Sequence, residues 1–391
     1  MFLDTVLARN PALVTAAAAL HQRGDIPPDT YVMDLDAVES NAALLAAEAD
    51  RLGLTLWFMA KHLGRNPELI RAIARAIPRY AAVDAAEARA LEAAGARPGN
   101  LGHLVQIPRR ALPGLLALRP TAVTVYDLAN ARAVSEAAVR LGYAQDILVR
   151  LESAPGTGHP GQEGGVPLPA LAGFAAAAGR LPGVRIAGVT AFPCLRCDPV
   201  TGEPRPTPNL PLLLTARDTL RGLGHRDLSV SAPGATSVAA LPLLASAGAT
   251  HAEPGHALTG TTPLHAVDPH RPEKPAYVYV TEVAHTLADG RPALFGGGFY
   301  PRGRVASALL PRSGARLRVA DAPAGNIDYY RLLAAPGAEA GAVRTGDTAV
   351  LAFRTQIFVT RSTVAVVAGL SGLSGGSTRL TGLYDSRGRP L

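Results

Sequence analysis

Lysine is nearly missing from this chain. The basic residues number 38, and all but Lys61 and Lys274 are arginine. Exposed lysine and arginine exchange freely, so a lysine that persists points to chemistry arginine cannot supply. An ammonium can give up its proton and attack a carbonyl, whereas a guanidinium stays charged. Lys274 lies in Arg271-Pro272-Glu273-Lys274-Pro275, a polar linker, and reads as solvated. Lys61 ends the apolar run 54–60. A cation there is paired, deprotonated or covalently used, or else it snorkels out of the strand end.

Cysteine is scarce too. Cys194 and Cys197 form one C-x-x-C between Pro193 and Pro199, with no His or Cys partners at finger spacing. That is half a zinc site at most, and no metal is expected; it also excludes a disulfide framework, so reduced thiols are expected. No apolar run is long enough to span a bilayer. The start, Met1-Phe2-Leu3-Asp4, lacks a basic n-region, so no signal peptide and a cytoplasmic location are expected. The net charge is +7 and the pI about 9.7, yet the arginines are scattered, with no basic run interleaved with aromatics. Nucleic acid and membrane are therefore not expected partners, and an anionic small substrate or cofactor is.

What is present is a globular chain. It has 391 residues, 48% of them hydrophobic, with 40 Gly and 33 Pro for loops. From about 30 to 265, short apolar runs alternate with alanine-rich helical stretches. Candidate strands are 31–33, 55–60, 80–83, 103–105, 122–125, 147–151, 186–190, 228–231 and a short run near 250–251. Candidate helices include 44–52, 67–76, 85–94, 129–141 and 211–223; Asp84 and Asp127 read as caps. This rhythm is that of an α/β (β/α)8 TIM barrel. After Pro275 the pattern becomes alternating, in 277–281, 348–353 and 358–367, as in a β-rich domain. The expected domains are 1–275, a barrel with an N-terminal helical extension, and 276–391. The Gly/Ser-rich stretch 369–376 reads as a loop.

Functional groups in a barrel sit at the C-terminal ends of its strands. Lys61 ends the second expected strand and Arg150 lies in the sixth. Phe192 and Cys194 follow the seventh, Ser231 to Ser237 the eighth, and Glu253-Pro254-Gly255-His256 the last. The two Gly-containing turns could offer backbone N–H groups to a phosphate.

These residues carry a resemblance. Tyr31-Val32-Met33-Asp34-Leu35-Asp36-Ala37-Val38 with Asn41, then Phe58-Met59-Ala60-Lys61, resembles the opening of the alanine racemase barrel family, pyridoxal-phosphate enzymes of fold type III. Ala252 to Gly260 is similar to that family's phosphate loop. Within the family the chain resembles the YhfX-like amino-acid racemases, on 58–66, 161–165, 232–237 and 253–263. The resemblance implies pyridoxal 5'-phosphate held on Lys61 as a Schiff base, with Lys61 then acting as base at a substrate Cα. It implies Arg150 beside the ring oxygen and Thr236, Ser237, Gly255 and His256 around the phosphate. Glu253 would face the pyridine nitrogen, where alanine racemases carry arginine and the related decarboxylases glutamate. Tyr384 would reach the phosphate, and Arg65 the phosphate or a substrate carboxylate. Glu253 otherwise reads as a cap or ion-pair residue, and Arg65 as a solvated helix-start residue.

Three departures accompany it. Phe192 stands where the family has a stacking histidine. The family's tyrosine base would fall within 293–300, where Phe295 matches best and Tyr300 is the nearest tyrosine. The His-x-Cys zinc pair of the D-serine dehydratase relatives is absent. The run Gly296-Gly297-Gly298 reads as a turn of the β domain. The implied function is an amino-acid racemase working as a homodimer that shares its sites. A fold-type III decarboxylase, a non-catalytic pyridoxal-phosphate carrier and a cofactor-free Schiff-base aldolase are the alternatives.

Overall fold

The structure is a computed structural model that describes residues 2–303, 305–323, 325–334, 343–371 and 378–391. Most of the Gly/Ser-rich stretch expected to be a loop, 372–377, lies outside the described residues. The chain forms two compact units. One comprises Ala42–Ala60 and Ile73–Ala257; the other comprises Met1–Asn41, Lys61–Ala72 and Leu258–Leu391.

The first unit is the barrel. Its eight parallel strands run in the order Thr55–Leu56, His251–Ala252, Ser229–Ser231, Val184–Thr190, Gln145–Arg150, Ala122–Val125, Arg97–Leu101 and Arg79–Ala82. A parallel bridge between Phe58 and Tyr80 joins the two edges, so the sheet closes. Helices alternate with the strands, and two start as the sequence reads. Asp84 accepts from the Glu87 N–H at 2.7 Å and Asp127 from the Asn130 N–H at 2.7 Å. Each satisfies an orphan donor of the first turn. Trp57, Met59, Ala81, Val83, Ala122 and Leu148 pack together as a barrel core.

One barrel strand was misplaced in the sequence reading. Residues 103–105 form no strand; the fourth strand of the chain is Arg97–Leu101. Pro98, Gly99 and Asn100 carry a turn's composition. The glycine has a packing reason. A Cβ on Gly99 would lie 2.3 Å from Cδ1 of Trp57, so the large ring just after Thr55–Leu56 demands an empty position on Arg97–Leu101.

The second unit is a nine-stranded sheet with two helices on it. Its order is Pro292–Phe295, Tyr330–Ala334, Ala315–Val319, Ser307–Leu310, Thr348–Leu351, Tyr277–Thr286, Thr30–Asp34, Thr363–Ala368 and Arg379–Tyr384. All pairs are antiparallel except Thr30–Asp34 with Thr363–Ala368. The first strand of the chain, expected in the barrel, is therefore in this sheet. Its run Tyr31-Val32-Met33 is apolar on both faces and fits the middle of either sheet. On one face Val32, Val278, Val280 and Val367 pack on Leu13, Val14 and Ala17 of the helix Pro11–Gln22. On the other, Tyr31 meets Tyr279 at 5.0 Å and Tyr279 meets Phe299 at 5.0 Å between ring centroids. The run 296–298, expected as a turn, is irregular, with a bend at Gly297. The Gly297 and Phe299 N–H groups donate to Asp328 Oδ2 at 2.8 and 2.9 Å.

Among the described residues, no helix is long and apolar enough to cross a membrane.

Candidate active site

The strand ends of the barrel unit converge on Glu253. Its side chain is 1% exposed, directly after the last barrel strand. Asn100 Nδ2 donates to Oε1 at 3.3 Å, and Ser231 Oγ donates to Oε1 at 3.4 Å. Thr124 Oγ1 donates to Asn100 Oδ1 at 2.8 Å, which turns the Asn100 amide nitrogen toward the carboxylate. His103 Nδ1 lies 2.9 Å from Oε2 but off the axis of a hydrogen bond. Among the described residues, Oε2 is thus a buried acceptor with no aligned donor. A buried carboxylate in that condition is costly unless charge or a further donor reaches it.

Arg150 closes the strand Gln145–Arg150 and is 1% exposed. Its guanidinium donates to the carbonyls of His103, Gln162 and Gly164 at 3.2, 2.9 and 3.2 Å. It also lies 4.9 Å over the ring of Tyr126. Burial lowers its pKa from the ordinary arginine value. The effect is structural: Arg150 ties the stretch 162–164 and the turn after Leu101 to one strand end. Phe192, half-buried after the barrel strand Val184–Thr190, sits between two imidazoles. Its centroid is 5.5 Å from His103 and 5.7 Å from His159.

Thr236 and Ser237 are 4% and 2% exposed in the turn after Ser229–Ser231. Thr236 Oγ1 is buried and has no hydrogen-bond partner among the described residues. Ala235, just before it, is held at φ 44°, where an L-residue other than Gly, Asn or Asp is rare. Gly255 and His256 are half-buried in the turn after Glu253. Cys194 is buried, its thiol donating to the Ala191 carbonyl at 3.2 Å. Burial, with the charge of Glu253, pushes that thiol well above its ordinary value, so it is no nucleophile. Among the described residues, no group of three or more His, Cys, Asp or Glu is placed to hold a metal.

The remaining sequence-identified residues belong to the sheet unit. Lys61 opens the one-turn 3-10 helix Lys61–Leu63, half-buried. Behind it His62 is 1% exposed. Burial, with the charges of Lys61 and Arg354, holds its imidazole down to about 3, so it is neutral. Arg65 is buried and its guanidinium lies 5.0 Å over Phe358, not in water as a helix-start arginine would be. Tyr384 donates its hydroxyl to Glu68 Oε1 at 2.5 Å, and burial and Glu68 together push that phenol up to about 12. Tyr300 is 41% exposed, with the Arg302 guanidinium 6.0 Å from its ring.

Sequence reasoning missed His103, Asn100 and Thr124. With 103–105 taken as a strand, His103 falls inside an element rather than at a strand end. With Arg97–Leu101 as the strand, Asn100 faces the barrel interior and His103 falls at the functional end. The bulk of Trp57 is the signal that could have shown it, because it needs a glycine opposite.

An eight-stranded parallel barrel with polar residues at its strand ends, and a separate antiparallel β unit, is the architecture of the alanine racemase fold. A family model of the Alanine racemase, N-terminal domain, matches residues 33–263, and one of the YhfX-like, C-terminal domain, matches 278–375. The Escherichia coli (strain K12) protein YhfX is 40% identical over 398 residues, covering 100% of both chains. The chain belongs to this alanine racemase family, in its YhfX-like branch. Solved structures share the fold at lower identity. D-threonine aldolase from Filomicrobium marinum has a TM-score of 0.66 and 20% identity, over 92% of this chain and 95% of that one. Alanine racemase of Clostridium difficile 630 in complex with cycloserine has 0.60 and 14%, over 91% and 98%. D-threo-3-hydroxyaspartate dehydratase from Delftia sp. HT23 has 0.62 and 17%, over 90% and 96%.

Proposed function

We propose that the protein is a pyridoxal-phosphate-dependent enzyme acting at the Cα of a free amino acid, as a racemase. One observation carries this reading. Glu253 Oε2 and Thr236 Oγ1 are buried polar atoms without an aligned partner, in the loops where a ring nitrogen and a phosphate would need them. When bound, pyridoxal phosphate supplies an aldehyde that condenses with amines and a ring that withdraws electrons from the attached Cα.

The chain's own residues would do the rest. Lys61 holds the cofactor covalently and takes or returns the Cα proton on one face. Glu253 keeps the ring nitrogen protonated and thereby strengthens the electron sink. Thr236, Ser237, Gly255 and His256 bind the phosphate. Phe192 stacks on the ring, and Arg150 supplies positive charge while fixing the loop above it. Tyr300 serves the other face, contributed by a second subunit of a homodimer. Exposed Phe295, Ile327, Tyr329 and Tyr330 on the same unit, at 43%, 66%, 65% and 43%, favour a covered surface there. Glu253 also suits a decarboxylase; the burial and unreactive state of Cys194 removes one nucleophile such an enzyme could use.

The deciding experiment is incubation with L- and D-amino acids in D2O, followed by NMR and chiral chromatography. Loss of the Cα proton signal with equilibration of the two hands supports a racemase. Carbon dioxide release instead supports the decarboxylase. Bound cofactor with no exchange at Cα for any amino acid would sink the enzyme reading.

A further inference from the structure

His103 is held from three sides. Its carbonyl accepts from Arg150 Nη1 and from the Tyr126 hydroxyl, each at 3.2 Å. Its ring stands edge-on to Phe192, and its side chain is 3% exposed. The imidazole cannot swing away from Glu253 without breaking this packing. Yet Glu253, at 1% exposure, needs a counter-charge, since an uncompensated buried carboxylate costs several kcal/mol.

The other charged or titratable groups around the pair do not bond Oε2. The Arg150 charge is felt by Glu253, but its N–H groups are directed at three backbone carbonyls. His251 is kept neutral by burial, which lowers it to about 4. Cys194 and Tyr126 are both pushed upward, burial being the larger cause, and stay uncharged. The His159 ring lies against Phe192.

We propose that His103 is an exchangeable counter-ion of Glu253. Without a ring in the site, His103 is the imidazolium whose Nδ1 lies 2.9 Å from Oε2, an ion pair rather than an aligned hydrogen bond. A pyridinium N–H arriving at that oxygen would bring a second positive charge to one buried carboxylate. His103 then gives one proton to solvent and remains as neutral imidazole. One N–H bond breaks, the proton goes to buffer, and no electrons are transferred. The gain is a site kept in its working geometry before the cofactor arrives. This rests on the proposed function in one respect, that the ring nitrogen meets Glu253.

The test is calorimetry of cofactor-free protein with 4'-deoxypyridoxine 5'-phosphate, which has no aldehyde and cannot bond to Lys61. Titration in phosphate and in Tris buffer, whose ionisation heats differ, counts protons exchanged. The wild type should release about one proton more per subunit than His103→Gln or His103→Asn. Equal counts overturn the proposal. If neither variant folds, the 15N signals of the His103 ring in the wild type serve. They should change from imidazolium to neutral imidazole on adding the probe; unchanged signals overturn the idea. Pyridoxal phosphate trapped on Lys61 by borohydride alongside equal counts would remove His103 alone. Failure of both the probe and the trapping would remove the proposed function as well.

Discussion

The surroundings of Glu253 and those of Lys61 are built in opposite ways. Around Glu253, barrel strands and the bend that follows one of them place each polar atom: Thr124 aligns Asn100, Asn100 and Ser231 meet Oε1, and His103 Nδ1 lies 2.9 Å from Oε2. The barrel strands position Asn100, Thr124 and Ser231, which are fixed before any ligand arrives. Lys61 stands in a single 3-10 turn with no ladder of its own. Its segment is placed by packing on distant strands of the sheet unit. A Cβ on Gly64 would lie 3.0 Å from Ile357 Cγ2, 3.2 Å from Val364 Cγ2 and 3.2 Å from the Ser386 carbonyl. The polar setting of Glu253 is thus a property of the barrel unit, and the placement of Lys61 a property of the sheet unit. Damage to one should leave the other readable.

The largest expected effect is at Lys61. Lys61→Arg keeps a cation in the turn but offers no neutral amine, so covalent cofactor and turnover should both vanish. A variant that still traps cofactor with borohydride would break the assignment. Next comes Glu253→Gln, which keeps shape and removes charge. If the ring nitrogen's pKa falls by two to three units, Cα exchange slows by roughly a hundred- to a thousand-fold, at about 1.4 kcal/mol per unit. Cofactor retention should change far less, since Lys61 and the phosphate loop remain. Unchanged exchange would make Glu253 a mere anchor.

The sheet unit carries its own pH signature. Asp29 is buried, and burial pushes its carboxyl up to about 6 despite donors from Ser362 and Tyr279. Its protonated form therefore stabilises the fold. That contribution is complete below about pH 4 and is lost as pH rises toward 6, amounting to about 3 kcal/mol. Asp29→Asn should flatten this part of the stability curve, measured by denaturant unfolding across that range. A wild-type minus Asp29→Asn difference that does not vary with pH contradicts it.

Two glycine substitutions give the smallest effects and the sharpest contrast. Gly64→Ala adds a Cβ at φ +63°, costing about 1–2 kcal/mol, and should reduce cofactor trapping. Gly99→Ala collides with Trp57, the sole tryptophan, costing about 1–3 kcal/mol. Only Gly99→Ala should shift the tryptophan emission. An equal shift in Gly64→Ala would dissolve the distinction between the two regions.

The barrel was legible because its helices and strands alternate at regular spacing and begin at recognisable caps. The strand Arg97–Leu101 was not, because its composition answers the ring of Trp57 rather than local propensity. That one error hid His103. The placement of Tyr31–Met33 was illegible for a different reason: a run apolar on both faces fits the centre of either sheet. Lys61 and Glu253 were readable as chemistry, one from its rarity and the other from its loop. The bond of Tyr384 to Glu68 was not, since it joins residues far apart in sequence through tertiary packing alone.

The scarcity of lysine makes the central claim directly measurable. Purified protein is loaded with pyridoxal phosphate, reduced with borohydride, digested and mapped by mass spectrometry. The account predicts a pyridoxyl adduct on the peptide holding Lys61 and none on the one holding Lys274. An unmodified Lys61, or label carried by Lys274, would contradict it.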